Sequence, residues 1–215
     1  FVANVSHELK TPLTSIKGFT ETLKYVEDEE TRKKFLDIIE KEADRLGRLI
    51  NDILILSKIE SDISGEEDEF LPNKVVDDVI NMVKVLADNK NITIELDERN
   101  NDLLFGDKDR FLQLVLNIVE NSIKYSNEGS KVKISSFTNG DNYNLIVEDN
   151  GIGIPKEDIP RIFERFYRVD KARKSGGTGL GLAIVKHIVK TFNGNIKVES
   201  VLGVGSKFII QIKHI

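Results

Sequence analysis

The sequence predicts an α plus α/β protein: a helical hairpin that pairs with a second copy as a dimeric four-helix bundle, followed by an α/β sandwich. Three observations carry this. Apolar residues recur at three- and four-residue spacing through the first sixty positions, the seam of a coiled coil or bundle. A polar, acidic stretch at 61–69 has no helical period. Beyond it, β-rich alternating runs mix with helical ones, an order that suits a layered α/β arrangement with the helices on one face.

The elements follow in chain order. Val2, Val5, Leu9, Pro12, Ile16, Phe19, Leu23 and Val26 trace one stripe along a first helix. Glu27-Asp28-Glu29-Glu30 breaks it, and Thr31 or a neighbour starts a second helix with the seam Phe35, Ile39, Leu46, Leu49, Ile53 and Leu56. Leu36, Ile50 and Leu54 widen that stripe beyond one seam. Two helices alone cannot cover so much apolar surface, whereas a homodimer through residues 1–60 can. Residues 61–69 read as a linker, and residues 70–215 as a second domain. In that domain 73–90 and 108–127 have helical patterning, and Leu180–Phe192 is a further helix stopped by Gly194. Ile92–Leu96, Lys131–Phe137, Tyr143–Glu148, Asn195–Ser200 and Lys207–Lys213 read as strands.

Composition bounds the function. Hydrophobic residues make up 40% and charged residues 31% of the chain, an ordinary globular balance. The net charge of −5 argues against broad binding of nucleic acid or of an anionic membrane. The absence of Cys excludes disulfides and thiolate metal sites. No apolar run approaches the roughly 20 residues that span a bilayer. An opening on Phe1, inside a patterned segment, predicts a piece of a longer protein.

Two glycine clusters come late in the chain. Asp149-Asn150-Gly151-Ile152-Gly153 follows a strand, and Gly176-Gly177-Thr178-Gly179-Leu180-Gly181 opens a helix. Glycines let backbone approach a phosphate, and a helix N-terminus presents free N–H groups. A Gly-rich hairpin turn is an equally good reading of either cluster alone. Neither fits a Walker loop or a Rossmann fingerprint. In the run Leu116–Tyr125, Asn117 and Asn121 stand four apart and share a helical face, with Lys124 and Tyr125 nearby. Such carboxamides need partners. A hydrated Mg²⁺ on phosphate oxygens is one, and neighbouring strands are another.

The order of these boxes, with Phe163-Glu164-Arg165-Phe166-Tyr167-Arg168 between the glycine clusters, resembles the ATP-binding (GHKL-type) domain shared by gyrase, a heat-shock chaperone, histidine kinases and MutL. Phe1 to Thr14, with Ser6-His7-Glu8-Leu9-Lys10-Thr11-Pro12 at its centre, resembles the phosphoacceptor (HisKA-type) box of bacterial sensor histidine kinases, similar to the phosphate-sensing type. The match covers nearly the whole chain. It implies ATP and Mg²⁺ as cofactors, autophosphorylation of His7, phosphotransfer to the Asp of a cognate response regulator, and placement as the cytoplasmic portion of a membrane protein anchored by other segments. It also implies site roles. Asp149 accepts from the adenine amino group, and Gly151 and Gly153 shape that pocket. Asn121 ligates Mg²⁺ with Asn117 in support, and Lys124, Tyr125 and Arg168 face the phosphates. Residues 168–178 form a lid carrying Lys171, Arg173 and Lys174, while Gly177, Thr178, Gly179, Leu180 and Gly181 hold the phosphates. Gly203-Val204-Gly205-Ser206 is a structural last box.

With Val2, Val5 and Leu9 at a, d and a, His7 falls at f, away from the seam and open to an incoming nucleotide. Pro12 removes the partner of the Glu8 carbonyl, so the helix should bend beside His7. Glu8 is expected to hold the His7 Nδ1–H so that Nε2 attacks. Thr11, one turn on, belongs to a stretch resembling the motif with which such kinases also dephosphorylate their regulator. His187 and His214 read as structural or surface residues. An ATPase of the same superfamily carries a Glu base where Asn117 stands, and an amide cannot take that proton, although Glu120 keeps hydrolysis open. A nucleotide-binding scaffold and a Ser/Thr kinase of the same ATP fold are weaker alternatives, disfavoured by the intact boxes and by the His7 helix pair.

Overall fold

A computed structural model of the chain describes residues 2–61, 65–169 and 177–213, with the side chains of Val2 and Ala3 not described. Part of the expected lid, with Lys171, Arg173, Lys174 and Gly176, lies outside the described residues, as does His214.

Two long helices open the chain, α1 (Val2–Leu23) and α2 (Glu29–Glu60). The acidic break supplies the cap of α2. Asp28 accepts the Thr31 N–H at 2.8 Å and the Thr31 hydroxyl at 2.5 Å, and these bonds hold its carboxyl below the usual range. Helix α1 is assigned without interruption through Pro12. The hairpin closes on Phe19 and Phe35, whose ring centroids lie 5.0 Å apart. Leu36, Ile50 and Leu54, which widen the stripe, remain exposed, as does Leu13.

The second unit is a two-layer sandwich. Strands β2 (Thr93–Arg99), β4 (Lys131–Asn139), β5 (Asn142–Asp149), β6 (Asn195–Val201) and β7 (Gly205–Lys213) form a sheet of order β2-β4-β5-β7-β6, parallel only between β2 and β4. Helices α3 (Pro72–Asp88), α4 (Lys108–Tyr125) and α5 (Gly181–Thr191) cover one face. Val79, Phe111, Ile118 and Ile184 share a core there with Val132, Ile134, Leu145, Val147, Phe208 and Ile210. The alternate sheet residues form exposed pairs such as Lys133–Asp97 at 2.8 Å and Lys207–Glu148 at 3.3 Å, which mark the wet face and add little stability.

One pairing departs from the sequence expectation. Strands β1 (Glu67–Phe70) and β3 (Leu104–Asp107) form a small antiparallel sheet, so Glu67, Asp68 and Glu69 of the stretch read as a linker are paired strand. Three of the four β1 residues are exposed acids, and only Phe70 is buried, 5.3 Å from the Phe111 ring. Asp107 then starts α4, its Oδ1 accepting from the N–H groups of Asp109 and Arg110 at 3.0 Å each. Helix α5 ends as expected near Gly194, but the left-handed residue is Asn193, φ 50°. Gly194 is required there because a Cβ would meet the Gln211 carbonyl at 2.6 Å.

Candidate nucleotide site

A cleft of about 1270 Å³ opens between α4, the glycine segments and α2. Asn117, Asn121, Lys124 and Tyr125 reach it from one face of α4, and Asp149, Gly151 and Gly153 from the end of β5. Arg168, Gly177, Thr178, Gly179 and Gly181 complete its wall. All of these were expected at one site from the sequence. Leu180 is the exception: its side chain is fully buried, and only its N–H faces the loop, donating to Thr178 Oγ1 at 3.3 Å.

The Asp149 carboxylate is buried. Its Oδ1 accepts from Gly151 N–H at 2.9 Å and from Ser206 N–H at 3.3 Å. Burial nonetheless pushes its carboxyl above the ordinary value. Gly153 holds φ 66°, and a Cβ there would run into the Val201 backbone. The last glycine box is structural in the same sense: a Cβ on Gly205 would strike the Asp149 carbonyl, and the turn delivers the Ser206 N–H to the carboxylate.

Asn117 Nδ2 is buried without a hydrogen-bond partner among the described residues, which leaves an N–H donor in need of an acceptor such as a phosphate oxygen. Gly181 makes room beside it, since a Cβ would lie 3.3 Å from Asn117 Oδ1 and 3.8 Å from Asn121 Nδ2. Two carboxamide oxygens suit Mg²⁺, which takes few protein ligands and keeps waters and phosphate oxygens. Lys124 stands beside the Tyr125 ring, 5.4 Å from its centroid. Burial, then the charges of Arg168 and Arg48, push its ammonium down to about 8.

Sequence reasoning missed the contribution of α2. Arg48, Asn51 and Asp52 line the cleft, and Asp52 Oδ2 accepts the Thr178 hydroxyl at 2.6 Å. Burial raises the Asp52 carboxyl, and burial followed by the Asp52 charge raises that of Glu120. Further along α2, Glu60 forms an ion pair with Arg165 and lies 3.8 Å from His187 Nε2. His187 is thus a structural contact between helix and sandwich.

His7, Glu8 and Thr11 are not brought into this cleft, whose described lining includes nothing from α1. The His7 side chain is 81% exposed, as position f requires. Its Nδ1 is 4.0 Å from Glu8 Oε1, beyond hydrogen-bond reach, while Glu8 Oε2 lies 3.5 Å from Arg45 on α2. The Thr11 hydroxyl donates to the His7 carbonyl at 3.2 Å.

Residues 106–214 match the family model described as histidine kinase-, DNA gyrase B-, and HSP90-like ATPase, and residues 1–62 match the His Kinase A (phospho-acceptor) domain. The chain belongs to the histidine kinase family. It is 40% identical over 216 residues to the sensor-like histidine kinase SenX3 of Mycolicibacterium smegmatis, covering 99% of this chain and 56% of that protein. The chain therefore spans about half the length of the curated relatives it matches. Among solved structures, Acinetobacter baumannii histidine kinase AdeS is similar with a TM-score of 0.77 at 30% identity, over 96% of this chain and 97% of that one. Histidine kinase ThkA, solved in complex with response regulator protein TrrA, is similar with a TM-score of 0.80 at 29% identity, over 100% of this chain and 61% of that one. In this histidine kinase the phosphoacceptor model covers α1 and α2, and the ATPase model covers the cleft's β5 and glycine segments. No helix among the described residues is long and apolar enough to cross a membrane.

Proposed function

We propose that the chain transfers the γ-phosphoryl group of ATP to Nε2 of His7, releases ADP, and passes the group on to an aspartate of a response regulator. The observation that carries this reading is an exposed imidazole on a phosphoacceptor helix in the same chain as a cleft with an unpartnered Asn117 amide and a buried Asp149 carboxylate. Asn121 and Asn117 would hold Mg²⁺, which supplies charge neutralisation on the phosphates. Lys124, Arg168 and the N-terminus of α5 would do the same from the protein side, and Asp149 would orient the base. For transfer, His7 must enter the cleft, and Glu8 must turn from Arg45 to accept the Nδ1–H, leaving the Nε2 lone pair free to attack. The regulator as partner extends to this chain what the ThkA–TrrA complex is named for. The relatives' names as sensor kinases support placing this piece on the cytoplasmic side of a membrane protein. Incubation with γ-labelled ATP should yield an acid-labile, base-stable label on the chain that a cognate regulator removes. Release of free phosphate alone would mean an ATPase.

The exposed Leu13, Leu36, Ile50 and Leu54 support a homodimer closing as a four-helix bundle through residues 1–60. Light scattering at micromolar concentration should give twice the chain mass. A monomer mass with helicity intact would end that reading.

Phosphate-bound Lys124 should be charged, and its free ammonium is already depressed to about 8. Binding therefore takes up a proton where free Lys124 is neutral. ATP affinity should be level below that range and fall above it, by roughly tenfold per pH unit at most. A Lys124→Met variant should bind weakly and with a flat profile, and an equal slope in both proteins would remove Lys124 from the phosphate site.

Thr11 shares the exposed face of His7, and we assign it to orienting water at the regulator's phospho-aspartate. Its present bond to the His7 carbonyl would have to open. Thr11→Ala should keep most autophosphorylation and lose most dephosphorylation of the regulator; equal losses would make the threonine structural.

A further inference from the structure

Lys90, just beyond α3, spends its ammonium inside the fold at the edge of the cleft. Its Nζ donates to the carbonyls of Ile123 at 3.0 Å, Lys124 at 2.7 Å and Ser126 at 2.9 Å. An ammonium has three donors, and all three are used. The acceptors sit at the C-terminal end of α4, where carbonyls lack helical partners and the helix dipole favours a cation. The backbone around Lys90 fastens the same corner. Its carbonyl accepts the Gly129 N–H at 3.0 Å, and the Asn91 side chain donates to Glu128 Oε1 at 2.9 Å.

That corner in turn sets the base end of the cleft. The Tyr125 carbonyl accepts the Ile152 N–H at 3.0 Å, and Ser126 forms an antiparallel bridge with Gly151. The approach is so close that a Cβ on Gly151 would lie 2.5 Å from Tyr125 oxygen. The position of the Asp149–Gly153 segment is thereby tied to residues 125 and 126, and theirs to the Lys90 ammonium. Lys90 also borders the cleft, yet with no donor left over it has nothing to offer a ligand directly.

We infer that Lys90 is a positioning residue for the base end of the nucleotide site, acting through the end of α4 on Asp149 and Gly151. The inference rests on the nucleotide reading given above. A base-end role acts equally on every adenine nucleotide, whereas a phosphate contact favours the triphosphate. It also acts on binding, leaving transfer at saturating ATP alone. Arginine keeps the charge but presents a planar fork, so it can satisfy only some of the three carbonyls.

The test is calorimetric binding of ATP and of ADP to the full chain and to Lys90→Met and Lys90→Arg, with autophosphorylation rates and melting curves of each. Lys90→Met should weaken ATP and ADP by the same factor, about tenfold given three part-buried carbonyls left without a charged donor. Its rate at saturating ATP should stay within about twofold of the parent, and Lys90→Arg should recover part of the affinity. A lowered melting temperature with parental affinity would make Lys90 merely structural and overturn the inference. So would a loss confined to ATP. A parent chain that binds neither nucleotide sinks the nucleotide reading itself, and this inference with it.

Discussion

His7→Gln is expected to take up no label from γ-labelled ATP while binding ATP as the parent does. The side chain is 81% exposed on α1 and contributes to no core. Glutamine is at least as good a helix former as histidine, so the hairpin should persist. Its amide nitrogen has no lone pair free to accept a phosphoryl group, and the phosphoacceptor box holds no second imidazole. The described cleft lining includes nothing from α1, so affinity should be untouched. Autoradiography with calorimetry on one preparation decides it. Acid-stable label persisting in the variant would identify a hydroxyl acceptor and refute the assignment of His7.

Asp149→Asn should give the opposite pattern, with binding weakened and the fold kept or strengthened. The Asp149 Oδ1 is occupied by the N–H groups of Gly151 and Ser206, and an asparagine oxygen can keep those bonds. The other position becomes an NH₂ group facing an adenine amino donor, so a charge-assisted bond is replaced by two opposed donors. Hydrogen bonds to charged groups contribute about 1.5–3 kcal/mol, so ATP should bind roughly 10- to 100-fold more weakly. Burial has raised the Asp149 carboxyl. A carboxyl raised in the folded state costs stability once the pH passes its unfolded value, because the unfolded chain ionises more readily. At neutral pH the neutral amide removes that cost, and the melting temperature should equal or exceed the parent's. A lower melting temperature together with parental affinity would show a structural carboxylate and no base contact.

The two variants separate because His7 stands on α1, outside the described lining of the cleft, while Asp149 lies inside it, and the helical and mixed stretches that carry them were legible in the sequence. Helical spacing from Val2 to Leu56 and strand alternation from Ile92 onward report one-dimensional periods, and each period follows from local geometry. The candidate residues on α4, at the end of β5 and before α5 drew notice as glycine clusters and paired amides, and the roles expected of them came from the family resemblance. The structure adds that Gly153 and Gly179 hold positive φ and that Asn117 and Asn121 share the cleft.

Other features depended on pairing between distant segments. Strand β1 is mostly acidic and acquires its conformation from β3 nearly forty residues on. Asp52 falls outside the apolar seam of the second helix and drew no reading from the sequence, yet it accepts the Thr178 hydroxyl in the folded chain. Lys90 closes the stretch 73–90 that the sequence patterns as helix, yet three carbonyls at the end of α4 accept from its ammonium. Ser206 reaches Asp149 only because β5 and β7 lie side by side. A local period tells which residues share a face but not what that face will meet. The sequence by itself therefore determined the family's boxes and the elements that carry them. The tertiary structure alone decided which charged side chains leave water, because desolvation and hydrogen bonding belong to partners brought together only when the chain has folded.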